Sequence, residues 1–404
     1  MKRYDVIIIG AGPAGLSAGI QAARCGASVL VLDENARPGG QLFKQIHKFF
    51  GSKEHQAKVR GFRIGENLLA EAAQQNVEVL LNSTVIGLYR DKEVLVRHVD
   101  EIEHFKGDTV IIATGASENA VTFPGWTLPG VMGAGAAQTL MNLHRVQPGS
   151  RILMLGSGNV GLVVGFQLLQ AGCELVGIVD LLPHVGGYGV HASKLARCGV
   201  PFYLSHTILK AEGTEYVTGV TIGEMGPDHQ IIAGSEKTYE VDTICLAVGL
   251  SPMSQLARMA GCDMDEAGGG PVCDACGATS IPGIYAAGDV SGIEEASSAM
   301  IEGRIAGISA AGYLGYLEEA QKDQMLSDQF DALSGLRKGM FAPGNKGKTI
   351  TETDEGIALS ESLLCHGYVG DDEISRFPGV TRTVGVHPVI ECTQNIPCNT
   401  CKDA

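Results

Sequence analysis

Residues 4–10, with Val6-Ile7-Ile8-Ile9 at their centre, read as a parallel strand buried on both faces. Small and apolar residues then recur with helical spacing over 16–23, and a second apolar run covers 28–32. A strand, a helix and a strand within about 30 residues make a βαβ unit. The same plan returns later: a predicted strand over 151–155, a helix over 160–170 and a strand over 174–179. The pattern therefore predicts two nucleotide-type folds in one chain.

Between them, an apolar strand over 108–115 ends in Ala-Thr-Gly and runs into a turn-rich stretch through Pro124, Pro129 and Gly130. A similar strand over 243–249 leads into Leu250-Ser251-Pro252. These are natural crossing points, so the first domain is expected to be discontinuous, with residues 1–120 and 250–325 enclosing a second domain at 121–249. From about residue 325 the periodicity weakens among scattered Gly, Pro and acidic residues, and 326–404 reads as a separate cysteine-bearing segment.

Composition narrows the class. A chain of 404 residues exceeds what one core usually supports, and its 55 glycines with 45% hydrophobic residues suit an α/β protein with many tight turns. The net charge of −15 speaks against a partner recognised through its phosphate backbone, so no nucleic acid is expected. No apolar run reaches the ~20 residues of a membrane span, and Met1-Lys2-Arg3 leads directly into the first strand. A cytoplasmic chain is expected, in which the eleven cysteines are reduced thiols or metal ligands rather than a disulfide framework.

The first turn reads Gly10-Ala11-Gly12-Pro13-Ala14-Gly15. Gly10 permits a tight exit from the strand, Gly12 allows close approach of a pyrophosphate, and Gly15 lets helix and strand pack, while the helix N-terminus offers N–H groups to the anion. Asp33, with Glu34 beside it, stands where an acid accepts hydrogen bonds from an adenosine ribose. Far away, Ala287-Gly288-Asp289 ends another apolar strand before a small-residue helix over 295–311, which suits Asp289 to a ribityl chain. The second unit carries Gly156-Ser157-Gly158-Asn159-Val160-Gly161, with Asp180 closing its next strand. A carboxylate there favours a free ribose 2′-hydroxyl, hence NAD over NADP.

Together these motifs, with Gly39-Gly40-Gln41-Leu42 and Ala113-Thr114-Gly115, resemble the two-dinucleotide flavoprotein superfamily that contains thioredoxin reductase. The resemblance covers residues 1–320. It implies bound FAD, with Gly39, Gly40 and Gln41 near the flavin and Thr114 and Gly115 closing over it. Thioredoxin reductases carry a redox Cys-x-x-Cys in the second domain, whereas here that domain has only Cys173, Cys198 and Cys245, apart in sequence. The pair Cys273 and Cys276 lies in a loop before the Gly-Asp strand and reads as a loop coincidence rather than a redox or metal pair with Cys262.

Residues 44–52, Pro129-Gly130-Val131-Met132, the 135–139 stretch and 249–252 are similar to the FAD-binding α subunits of multi-component amino-acid dehydrogenases. That group includes opine oxidases, hydroxyproline and proline dehydrogenases, sarcosine oxidase and hydrogen cyanide synthase. The resemblance implies a hetero-oligomer in which a companion flavoprotein β subunit oxidises an amino or imino acid and this chain relays electrons. Lys44, His47 and Lys48 read equally as an anion site or a solvated basic loop. In the tail, Cys392, Cys398 and Cys401 have iron–sulfur-like spacing but are one ligand short, with Cys365 the nearest fourth candidate. No residue stands out as a catalytic acid or base. Two other readings remain open: a self-sufficient NADH-dependent reductase and a non-catalytic FAD-bearing scaffold.

Overall fold

The computed structural model describes residues 1–49, 56–98 and 101–338. The described residues divide into two units, 1–117 with 250–338 and 118–249. The first stretch contributes β1 (Lys2–Ile9), α1 (Pro13–Arg24), β2 (Val29–Leu32), α2 (Gly61–Gln74), β3 (Glu78–Leu80), β4 (Ser83–Leu88), β5 (Glu93–His98) and β6 (Glu101–Ile112). The chain leaves by β7 (Ala116–Glu118).

The second unit contains β8 (Val131–Gly133), α3 (Ala134–Thr139), β9 (Arg151–Leu155), α4 (Asn159–Gln170), β10 (Glu174–Val179), α5 (Gly189–Arg197) and β11 (Phe202–Tyr203). It continues through β12 (His206–Glu212), β13 (Gly219–Glu224), β14 (Lys237–Tyr239) and β15 (Thr243–Leu246). The return runs through β16 (Leu250–Pro252), α6 (Gln255–Ala260), β17 (Ile284–Ala286), α7 (Ala296–Tyr313) and α8 (Glu319–Leu336).

In the first unit, β3, β2, β1, β6 and β17 pair in parallel in that spatial order, and the β4–β5 hairpin adds antiparallel strands to the N-terminal half of β6. Strand alternation explains the apolar second half of β1. Val6 and Ile8 point into the core beneath α1, α2 and α7, while Ile7 and Ile9 point into a second core that includes the hairpin and α6. A strand covered on both faces has no polar positions to show.

The second unit repeats this with a five-stranded parallel sheet ordered β11, β10, β9, β15, β8. Ile152 and Met154 face α3, α4 and α5, whereas Leu153 and Leu155 face the antiparallel sheet β12–β13–β14. That three-stranded cover takes the place that helices hold in a doubly wound fold.

Two glycines on α7 set the closeness of its contact with α1. A Cβ on Gly303 would lie 2.1 Å from the Ala14 carbonyl oxygen, and one on Gly307 would lie 2.5 Å from that of Ala18. Only hydrogen side chains allow the two helix backbones to approach so closely. On its other face α7 buries Ile301, Ile305 and Ile308 against Leu326 and Leu333 of α8. Residue 326, where the sequence reading begins the C-terminal segment, therefore lies inside a helix of the first unit, because leucines spaced seven apart bury on one face.

Gly303→Ala is expected to lower unfolding stability by about 2–3 kcal/mol through overpacking. Gly335→Ala, where an added Cβ meets nothing within 4 Å, is expected to be neutral or slightly stabilising. Urea unfolding followed by circular dichroism compares the two variants.

Candidate dinucleotide sites

Both glycine turns are fixed by the same arrangement. Gly10 leaves β1 at φ +109°, and a Cβ there would meet the Ala113 carbonyl oxygen at 2.3 Å. Gly156 leaves β9 at φ +107° and would meet the Ala247 carbonyl oxygen at 2.2 Å. Gly15 and Gly161 pack against the carbonyls of Gly10 and Gly156. In each turn the strand end, the helix start and the neighbouring crossing strand converge where no side chain fits.

The acids that end β2 and β10 tie these turns down. Asp33, 6% exposed, accepts the Ala11 N–H at 2.6 Å on Oδ2 and the backbone and side-chain N–H groups of Asn35 at 2.8 and 2.9 Å on Oδ1. Asp180, 9% exposed, accepts the Ser157 N–H at 2.6 Å and its hydroxyl on Oδ2, and the Leu182 N–H at 2.9 Å on Oδ1. A carboxylate offers about four acceptor sites. Three are used in each case, which leaves each acid one further acceptor site. The sequence reading assigns Asp33 and Asp180 to a ribose alone; their hold on their own turns was not anticipated.

A second repeat also escaped that reading. Gly39 donates its N–H to the Ala11 carbonyl at 2.7 Å, and Gly187 donates to the Ser157 carbonyl at 2.8 Å. The spacing Asp33-x5-Gly39-Gly40 recurs as Asp180-x5-Gly186-Gly187, so the signal was present in the sequence. Each glycine pair folds back onto its turn. Gly40 packs on Gly12, with Gln41 exposed beside it, and Tyr188 donates its N–H to the Asn159 side-chain oxygen at 2.8 Å. Glu34 is exposed at the rim, whereas the residue after Asp180 is Leu181, 52% exposed.

The helix starts suit an anion. Neither α1, capped at Gly12 with Pro13 in its first turn, nor α4, capped at Gly158, has a side-chain cap or an acid in the first turn. A Cβ on Gly12 would find only Gly40 at 4.0 Å, and one on Gly158 would find nothing within 4 Å. An uncapped helix start beside open space is the environment a pyrophosphate requires. Val160, in the first turn of α4, is also exposed.

The distant Gly-Asp motif joins the first turn. Ala287 continues from β17 by donating its N–H to the Ile112 carbonyl at 3.0 Å, and Gly288, at φ +77°, would place a Cβ 2.9 Å from that of Ala14. Asp289 thus lies in the turn that enters α7, a helix whose start also lacks a side-chain cap. Thr114 donates its hydroxyl to the Met253 carbonyl at 2.7 Å, and Met253 returns its N–H to the Gly115 carbonyl at 2.9 Å, which closes the crossing. The structure brings residues 10–15, 33, 39–40, 113–115 and 288–289 to one end of one sheet, and residues 156–161, 180 and 186–188 to the corresponding end of the other. These residues fit a dinucleotide in each unit.

The described cysteines are free thiols. Burial raises the thiols of Cys25, Cys173 and Cys262 and pushes Cys198, Cys245 and Cys273 up to about 12. Among the described residues no group of three or more His, Cys, Asp or Glu side chains could hold a metal ion. Cys262 donates instead to the Thr279 hydroxyl at 3.5 Å and Cys273 to the Pro271 carbonyl at 3.4 Å. Cys276 is only half-buried, and its thiol is raised as well. Cys365, Cys392, Cys398 and Cys401 lie outside the described residues. No described helix is long and apolar enough to cross a membrane.

The profile of the pyridine nucleotide-disulphide oxidoreductases matches residues 4–303. The A subunit of opine oxidase from Agrobacterium tumefaciens (strain Ach5) is 32% identical, over 93% of this chain and 81% of that protein. The HcnB subunit of hydrogen cyanide synthase from Pseudomonas aeruginosa is 28% identical over 89% and 82%. The alpha subunit of sarcosine oxidase from Corynebacterium sp. (strain P-1) is 28% identical over 80% of this chain but only 34% of that protein. Among solved structures, T. acidophilum thioredoxin reductase superposes with a TM-score of 0.64 at 23% identity, covering 77% of this chain and 99% of that one. L-proline dehydrogenase from P. horikoshii gives 0.60 at 22% identity, covering 81% and 59%.

Asp33→Ala leaves the Ala11 and Asn35 N–H groups without their acceptor, and is expected to reduce the flavin recovered with the purified chain at least tenfold, a loss of about 1.4 kcal/mol or more. Asp180→Ala is expected to leave flavin recovery unchanged. The absorbance ratio of flavin to protein reads both.

Proposed function

The chain belongs to the pyridine nucleotide-disulphide oxidoreductase family and is an FAD-dependent oxidoreductase of the opine oxidase, sarcosine oxidase and hydrogen cyanide synthase type; from that premise we propose that it is the electron-transferring subunit of a multi-subunit amino- or imino-acid dehydrogenase. A companion flavoprotein oxidises the amino or imino acid, and this chain passes the reducing equivalents to NAD, an iron–sulfur centre or another carrier. The observation that carries this reading is the near full-length similarity to the opine oxidase and hydrogen cyanide synthase chains, both of which are named as subunits.

FAD supplies the electron-accepting chemistry when bound. The residues supply its seat. The open N-terminus of α1, from Gly12 to Gly15, receives the pyrophosphate, Asp33 and Glu34 address the adenosine ribose, and Asp289 addresses the ribityl chain. Gly39, Gly40 and Gln41 line the flavin side. Ala113, Thr114 and Gly115 close the site. A thiol relay is not part of this reading, since the thiolate is the reactive form and burial disfavours it at the described cysteines.

The second unit favours a further reading, a chain that also oxidises NADH on its own. Gly156, Gly158, Asn159, Val160, Gly161 and Asp180 would hold the nicotinamide dinucleotide, and the Asp180 carboxylate disfavours a 2′-phosphate.

An anaerobic visible spectrum of the isolated chain separates the readings. Oxidised flavin bands that persist with NADH and bleach when the companion flavoprotein and its amino acid are added are the result expected of a relay. Bleaching by NADH alone favours the self-sufficient reductase, and no flavin bands at all would overturn both. If NADH binds, NADPH is expected to bind about tenfold more weakly or worse in competition titrations.

A further inference from the structure

Glu302 on α7 has no role in the reading above, although it is mostly buried beside the Gly-Asp turn. Its side chain is 20% exposed and sits next to Gly303, the glycine packed on Ala14. Oε2 accepts the Gly288 N–H at 3.0 Å. Oε1 accepts an N–H of Arg337 at 2.9 Å from the C-cap of α8. The same guanidinium donates from Nε to both oxygens of Glu294, at 3.0 and 3.2 Å, and Glu294 donates its own N–H to Asp289 Oδ1 at 3.3 Å. The end of α8 is thereby fastened to both sides of the turn that presents Asp289.

We propose that Glu302, seated by Arg337, is a positioning residue for FAD: it holds the Gly288–Asp289 turn in its binding conformation and takes up a proton when FAD binds. This rests on the FAD assignment of the two glycine motifs. Gly288 at φ +77° exposes its N–H on the Glu302 side, and among the described residues no other acceptor fixes that group. With the carboxylate in place, the turn leaves β17 in one direction only, which sets where Asp289 and the start of α7 point.

The proton follows from the surroundings. Among the described residues four groups face Glu302: Glu294 before α7, Asp289 in the turn, Arg337 of α8 and the half-buried thiol of Cys273. Burial first, and then the negative charge of Glu294, raise the Glu302 carboxyl to about 7. One guanidinium is shared between two carboxylates. An anionic pyrophosphate brought to the adjacent helix starts disfavours the charged carboxyl further, so binding near neutral pH is accompanied by proton uptake. The sign for the protein without FAD is the same in origin. The folded chain holds this proton more tightly than the unfolded chain, so the stability Glu302 contributes is full below about 4.5 and is lost as pH rises through about 7.

FAD titrations of full-length wild type, E302Q, E302A and R337A at pH 6, 7 and 8.5, read by flavin fluorescence quenching, test the proposal. Calorimetry at pH 7 in buffers of different ionisation enthalpy counts protons. Wild type is expected to lose affinity as pH rises and to take up a fraction of a proton. E302Q, whose amide oxygen still accepts the Gly288 N–H, is expected to bind with a flat pH profile and no uptake. E302A is expected to have the same flat profile as E302Q but about tenfold lower affinity than E302Q at every pH, and R337A to shift the wild-type profile upward in pH because the cation that favours the carboxylate is gone.

An E302Q profile that keeps the wild-type slope and proton uptake would overturn the proposal, as would an E302A chain that binds FAD within twofold of E302Q. Should E302A lose its near-ultraviolet dichroism, E302Q decides alone. A wild-type chain that takes up no FAD at any pH would overturn the FAD assignment and this proposal with it.

Discussion

The contact of α1 with α7 is the constraint on which the first unit depends. Gly303 and Gly307 let α7 ride directly on the carbonyls of Ala14 and Ala18. That approach draws the first glycine turn and the Gly288–Asp289 turn to the same sheet end, although they are separated by most of the chain. A methyl group at either glycine would push α7 outward and separate the two halves of the cofactor seat. Dispersion and burial at such close backbone contact then favour a single geometry rather than a family of them.

The two units are variants of one solution. Each has a glycine turn that leaves no room for a side chain, an acid that fastens the turn, and a glycine pair that folds back over it. They differ at the rim and at the back. Glu34 follows the acid in one unit and exposed Leu181 in the other, while a hairpin and α6 cover the rear of the first sheet and a three-stranded antiparallel sheet covers that of the second. Fixation of the turns is common to both units, so any difference in what they bind has to come from elsewhere, with the rim the nearest candidate.

Much of this was legible in the sequence because it is local. The apolar runs of β1, β2, β9 and β10 and the small residues of α1, α4 and α7 declare themselves by periodicity, and turn glycines declare themselves by spacing. The recurrence of Asp-x5-Gly-Gly was equally visible and went unread. The hold of Asp33 and Asp180 on their turns was not readable, since an acid at a strand end looks the same whether it meets a ligand or a backbone amide. Nor were Glu302 and Arg337, which resemble ordinary polar residues on helices and acquire meaning only where α8 folds back on α7. Leu326 and Leu333 carried the signal for α8, but too faintly among acidic neighbours to separate a docked helix from a tail.

The crossing from β6 into the second unit and back through β16 also bears on how the chain is made. A ribosome releases β1 to β6 well before β17 and α7, so the first sheet waits with one flank open while residues 118–249, contiguous among the described residues of their unit, can already close on themselves. Synthesis order thus makes the inserted unit the earlier folder and leaves the apolar underside of α1 dependent on a helix still to be translated. Slow translation or truncation after residue 249 would leave that surface open to association with other chains, a liability of the discontinuous architecture that the finished molecule does not display.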